Sequence, residues 1–218
     1  MRAITGASVL LAAWTAVWTL AAFFDAQARS LLYEDEAETG RALDLAGAAR
    51  LADLAIALNP LEANYRRTRA QVTGARARPG TTGPTPNPAD AQSAVRAYEE
   101  VVARRPVWGM GWAELATARQ AAGEPPERVL ASLRRAIYFA PQEPLVRRTA
   151  LQLGTTFLEE LPPQDRQTIL WVATYTLQHD VRMLREMARD PEVAAFLRAL
   201  FAGTEHAAAL DSALPRGR

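Results

Sequence analysis

The chain has 218 residues and a formal net charge of +1, and all 25 of its basic residues are arginine. The near-neutral charge gives no electrostatic reason to expect a nucleic-acid partner. The absence of lysine excludes Walker-type phosphate binding and Schiff-base catalysis, and the absence of cysteine excludes disulfides, thiol catalysis and cysteine-ligated metals.

The first element is an uncharged segment at residues 3–24. As a helix rising about 1.5 Å per residue, it is long enough to cross the hydrocarbon core of a bilayer. Arg2 precedes it, whereas residues 25–38 carry five acids and one base, a bias that places the N-terminus in the cytoplasm. We therefore expect a single-pass anchor over residues 1–28 in a bacterial inner membrane, with the remaining chain in the periplasm. The sequence Ala26-Gln27-Ala28 leaves a cleaved signal peptide as the alternative.

A recurrent pattern dominates the middle of the chain. A small or β-branched residue is followed four positions later by a large one, then three later by another apolar residue, and five later by proline. The two clearest copies are Ala94, Tyr98, Val101, Pro106 and Val129, Leu133, Ala136, Pro141. The prolines are 35 residues apart (141 − 106), close to the roughly 34-residue period of tetratricopeptide repeats. Positions i, i+4 and i+7 share one face of a helix, and proline ends it.

The pattern predicts an all-α fold in which an N-terminal transmembrane helix precedes a domain of tetratricopeptide-like helical hairpins. We expect this domain over residues 29–211. Glycine and proline predict a loop at residues 74–88, and residues 212–218 are expected to form a flexible tail. Asp190-Pro191 predicts a capped helix start. The predicted core includes Tyr98, Trp112, Leu133 and Trp171, the last because its helix is apolar nearly all round.

The chain contains no sequence motif for catalysis, a cofactor or a metal, and its two histidines lack companions. We therefore expect a binding protein rather than an enzyme. Residues 63–78 hold five arginines and no acid, which makes Arg66, Arg67 and Arg69 candidate partner contacts. The alternative is a solvated helix whose arginines pair with acids elsewhere. Trp108, just before a predicted helix, is a further candidate contact, or it staples its own helix.

A family resemblance rests on three segments in a fixed order after the apolar N-terminus. They are ALNPLEANYRRTRAQ, AVRAYEEVVARRPVWGMGWAELATARQAAG and LRRAIYFAPQEPLVRRTALQLG. Over roughly residues 40–190 the chain resembles the TPR-like, VpsP-type proteins of bacterial exopolysaccharide biosynthesis clusters. This resemblance implies a membrane-tethered accessory protein that binds protein partners in polysaccharide assembly or export. An assembly factor or accessory subunit of another envelope complex is the alternative.

Overall fold

The computed structural model describes residues 2–33, 44–77 and 88–214, and for residues 2–10 it describes the backbone alone. Within these ranges every regular element is a helix and there is no strand, so the all-α prediction is confirmed there. The chain divides into two compact units, residues 1–106 and 107–218, which are described in turn.

Four helices of the first unit are described: α1 (Arg2–Tyr33), α2 (Leu45–Leu58), α3 (Ala63–Arg76) and α4 (Pro88–Arg104). Each packs against the next in the chain, and α1 also contacts α3. Small side chains let α2 approach its neighbours closely, because Ala48, Ala52 and Ala55 are completely buried. Asp44 starts α2 by accepting a 2.7 Å hydrogen bond from the backbone N–H of Gly47.

The described part of α1 has two distinct environments. All side chains of residues 11–20 are exposed. From there on, positions at helical spacing are buried, and Ala21, Asp25 and Ala28 are 0%, 2% and 0% exposed. No helix among the described residues is sufficiently long and apolar to cross a membrane. The predicted span begins at residue 3, and the side chains of residues 3–10 lie outside the described part.

The predicted loop at residues 74–88 is helical at both ends. α3 continues through Gly74 to Arg76, and Pro88 is already the first residue of α4. Tertiary packing overrides the low helix propensity of glycine here, because Ala75 is buried in a cluster with Leu45 and Val72. Residues 78–87 lie outside the described residues.

Seven helices of the second unit are described: α5 (Gly109–Ala121), α6 (Pro126–Phe139), α7 (Pro144–Thr156), α8 (Pro163–His179), α9 (Val181–Met187), α10 (Pro191–Phe201) and α11 (Ala207–Ala213). α5 pairs with α6, and α7 pairs with α8 while also contacting α5 and α6. α10 packs on α7 and α8, and α11 packs on α10. Asp190 caps α10 by accepting a 2.8 Å hydrogen bond from Glu192 N, as predicted.

The predicted core is confirmed at three of its four named residues. Tyr98, Trp112 and Leu133 are 7%, 8% and 2% exposed. The prediction for Trp171 is wrong, because its side chain is 49% exposed. One side of α8 supplies the buried Ile169 and Val172, whereas Trp171 forms a ring stack along the helix with Tyr175 and His179.

Two further details refine the sequence predictions for the second unit. Gly109, at the start of α5, lies so close to Ala136 of α6 and to Ala140, the C-cap of α6, that a Cβ atom would collide with them. The expected tail at residues 212–218 begins inside α11, where Arg185 Nε donates a 2.8 Å hydrogen bond to Ala213 O. Leu214 is 5% exposed. The predicted tail is therefore packed as far as Leu214, and residues 215–218 lie outside the described residues.

Candidate functional site

The site that collects most of the candidate arginines is a groove along α3. Arg66, Arg69, Thr73 and Arg76 recur at spacings of three and four, so they share one face of that helix. With side chains from α2 and α4 they line an open groove of about 580 Å³. We call it the α3 groove; its other lining residues are Asp53, Ile56, Asp90, Ser93, Arg96, Ala97 and Glu100.

Ion pairs to both neighbouring helices hold the arginines of the α3 groove in place. Arg69 Nε donates to Asp53 Oδ1 on α2 at 2.8 Å, and Arg66 Nη1 lies 3.5 Å from Glu100 Oε2 on α4. Arg76 Nη2 donates to the backbone oxygen of Leu45 at 3.1 Å. Each of these three guanidiniums of α3 is therefore oriented by a partner on another helix, which lowers the conformational entropy that a ligand must still remove.

Further hydrogen bonds fix the positions of the arginine side chains in the groove. Arg69 Nη1 also donates to Thr73 Oγ1 at 2.9 Å, and Arg66 Nη2 donates to Pro60 O at 3.3 Å. On α4, Arg96 Nη2 donates to Ser93 Oγ at 2.9 Å. Arg66 and Arg69 are thus each held by two contacts, whereas Arg96 is held by its hydrogen bond to Ser93.

The charges in the groove nearly balance. Four arginines face three acids, a formal charge of +1 from 4 − 3. The side chains of Arg66 and Arg69 are 20% and 31% exposed, whereas those of Asp53 and Glu100 are 57% and 66% exposed. Arg66, Arg69 and Arg76 of the charged run thus share the groove with acids and do not form a uniform basic patch. The groove instead alternates donors and acceptors, an arrangement suited to a polar segment of polypeptide.

The remaining predicted contacts lie elsewhere. Arg67 follows Arg66 by one residue, about 100° around the helix, and lines a different cavity beside α1. Trp108 belongs to the second unit, where it is half-buried at the N-cap of α5. The structure therefore brings together Arg66 and Arg69 in one groove and places Arg67 in a different cavity of the same unit. Arg78, also in the charge run, lies outside the described residues.

Sequence reasoning missed most of the groove's polar residues, although one signal was available. The positions 66, 69, 73 and 76 follow helical spacing and could have identified Thr73 and Arg76 as members of the same face. The acids Asp53 and Glu100 lie on other helices, so no local spacing relates them to α3. Only the packing of three helices reveals these partners.

The chemistry available in the groove is hydrogen bonding and charge pairing. Guanidinium N–H groups suit carboxylates and backbone carbonyl oxygens, and the acidic rim accepts hydrogen bonds from amide N–H groups. Among the described residues, no group of three His, Asp or Glu side chains is placed to hold a metal ion. No protein-family model matches the chain, and no curated protein is significantly similar to it.

Proposed function

We propose that this chain is a membrane-tethered, non-catalytic helical scaffold that holds a protein partner in the α3 groove. One observation carries the proposal: Arg66, Arg69 and Arg76 lie along one face of α3, oriented by residues of α2 and α4 or by the turn before α3, yet open to a groove of about 580 Å³. Arginines ordered before binding contribute affinity at low entropic cost. The partner's segment would be extended and rich in acidic side chains or free carbonyl groups.

The tether is α1. Its exposed residues 11–20 are uncharged, and Leu11, Trp14 and Trp18 are 62%, 54% and 46% exposed. A contiguous exposed apolar surface of this kind marks a site that contacts a membrane or a partner. The uncharged segment at residues 3–24 is long enough to cross a bilayer. The charge bias around that segment supports a bacterial inner-membrane anchor with a cytoplasmic N-terminus and periplasmic helical units.

Packing of α1 favours a retained anchor over a cleaved signal peptide. The sequence Ala26-Gln27-Ala28 lies inside a continuous helix that runs to Tyr33. Ala21 packs in a cluster with Ala55 and Tyr65, so removal of α1 would uncover Ala55 of α2 and Tyr65 of α3. An anchor that is also part of the first unit raises the concentration of the groove near membrane-bound partners.

The resemblance to VpsP-type proteins supports a place in exopolysaccharide assembly or export. A scaffold of this kind acts by holding its protein partner in place and catalyses no step itself. Its loss should therefore reduce secreted polymer while glycosyltransferases remain active in isolated membranes. If deletion leaves polymer normal but disrupts another envelope complex, the proposed pathway is wrong and the alternative accessory role is supported.

The test of the groove is a charge exchange in a deletion strain. The double substitution Asp53→Arg with Arg69→Asp keeps an opposite-charge pair between α2 and α3. It reverses the sign of the charge that a ligand contacts at each of the two positions. The matched control exchanges Arg182 and Glu186 of α9, which form a 2.9 Å contact and whose side chains are 88% and 35% exposed. We expect the wild type and the control to restore polymer, and the groove exchange to fail at equal protein level. Full restoration by the groove exchange would contradict the proposal.

A further inference from the structure

A second cavity of the first unit lies between α1 and α3. It has a volume of about 210 Å³ and includes Ala22, Asp25 and Arg29 of α1. Its other side is formed by the start of α3, from Glu62 to Thr68. It is separate from the α3 groove, and nothing in the proposed partner binding uses it. We call it the α1 pocket.

Asp25 is the unusual residue of the α1 pocket. Its side chain is only 3% exposed, and Oδ2 accepts a 2.9 Å contact from Arg29 Nη2 one turn along α1. Its other oxygen, Oδ1, is buried and accepts no hydrogen bond from any described residue. A buried carboxylate oxygen is costly unless a donor reaches it. Asp25 lines the pocket, so a donor bound there would lie beside this carboxylate.

Charges of both signs line the pocket. Asp25 and Glu62 supply carboxylates, and Arg29 and Arg67 supply guanidiniums. Burial, and then the negative charges of Asp25 and Glu62, raise the pKa of the Tyr65 phenol above its usual value, so this phenol stays protonated. A ligand that matches this lining carries a cationic hydrogen-bond donor at one end and an anion at the other.

The position of the pocket along α1 indicates where that ligand would come from. Exposed apolar side chains of α1 extend to Phe23, which is 55% exposed, and the first charged side chain after residue 2 is Asp25. From Asp25 to Arg29 the helix rises about 6 Å, close to the thickness of one polar headgroup layer of a bilayer. With the apolar stretch inside the membrane, the pocket lies at the level of the lipid headgroups.

We propose that the α1 pocket binds an aminoalkyl phosphate, the headgroup of phosphatidylethanolamine. The primary ammonium pairs with the Asp25 carboxylate, and the phosphate lies against Arg29 and Arg67. This inference rests on the proposed membrane tether for the source of the ligand, whereas the chemistry of the pocket rests on its own residues. The bound headgroup would fix the orientation of the first unit at the bilayer surface.

The first test uses soluble headgroups and the full chain in detergent micelles. Calorimetric titration with phosphoethanolamine, phosphocholine and inorganic phosphate distinguishes the contribution of the ammonium group to affinity from that of the phosphate. We expect phosphoethanolamine to bind at least about tenfold more tightly than phosphocholine, whose trimethylated nitrogen has no N–H to donate to Asp25. Inorganic phosphate should also bind more weakly. Equal affinity for all three would overturn the assignment of the ammonium site.

Variants test the two ends of the pocket. Asp25→Asn should remove the preference for phosphoethanolamine, whereas Asp211→Asn, an exposed carboxylate on α11, should leave it unchanged. Arg67→Gln should weaken all phosphate ligands severalfold. If Asp25→Asn fails to fold, the Arg67→Gln result still decides whether phosphate binds here. Unchanged affinities in both variants would overturn the proposal.

Lipid nanodiscs then distinguish a lipid headgroup from a free ligand. In phosphatidylcholine discs the pocket should still bind added phosphoethanolamine. In phosphatidylethanolamine discs the lipid should already occupy it, so the added ligand should give no binding heat. Equal binding in both discs would overturn the lipid assignment. Failure of the chain to enter discs would instead contradict the tether, and the micelle titration would still test the pocket.

Discussion

Trp112 and Trp171 form a matched pair for testing the packing of the second unit, because each can be replaced by alanine in the same unit. Trp112 on α5 is 8% exposed, and the guanidinium of Arg135 lies 4.4 Å from its ring centroid. Truncation of a fully buried tryptophan costs about 3–5 kcal/mol, from lost burial and the cavity that remains. We expect Trp112→Ala to fall in that range.

Trp171 is the control. Because its side chain is 49% exposed, about half of the burial is absent and the expected cost of Trp171→Ala is roughly 1.5–2.5 kcal/mol. Equilibrium urea unfolding followed by circular dichroism measures both variants, with the slope of the transition checked for equality. Equal losses for the two variants would refute the assignment of Trp112 to the core and of Trp171 to the surface.

Four further outcomes are expected. Gly109→Ala should destabilise the protein by about 1–3 kcal/mol through overpacking against α6, whereas Gly74→Ala, whose new Cβ would meet ordinary 4.0 Å contacts, should be neutral or stabilising on thermal unfolding. Asp190→Ala should cost about 1 kcal/mol by removing the cap of α10, measured in the same way. A hydrogen bond from Arg182 holds the pKa of Glu186 below its usual value, so NMR titration should find a higher pKa for Glu186 in Arg182→Ala. The stabilisation from this pair is present above the pKa of Glu186 in the unfolded chain, and it is lost as the pH falls through the lower pKa of Glu186 in the folded protein. Alkaline phosphatase fused to the C-terminus should be active in a bacterial host, and an inactive fusion alongside a fluorescent cytoplasmic reporter would contradict the proposed topology.

Helix positions and much of the core were predictable because they depend on local spacing. Ala94, Tyr98 and Val101 share one face of a helix whatever the partner is, and all three are buried. The exposure of Trp171 was not predictable in this way. Apolar composition indicates that a helix is buried, but only the arrangement of its neighbours decides which side remains uncovered.

The polar sites illustrate the same limit more strongly. The arginine-rich sequence around Arg66 indicated the helix that lines the α3 groove, but it could not show that Arg67 lies in a different cavity. The pairing of Arg69 with Asp53 connects α3 to α2 and has no local signature. In the sequence, Asp25 marks the end of an apolar segment, and its burial becomes visible only when α1 packs against α2 and α3.

Site-specific photo-crosslinking in living cells tests the central claim, that the α3 groove holds a protein partner, most directly. A photo-reactive amino acid replaces Arg96, an exposed residue of the groove, and in a control it replaces Arg182, whose side chain is 88% exposed on α9. We predict that position 96 gives a discrete adduct with a protein of the polysaccharide assembly or export apparatus, that position 182 does not, and that the groove charge exchange abolishes the adduct. Identical adduct patterns at both positions, or an adduct that persists in the exchange variant, would contradict the account.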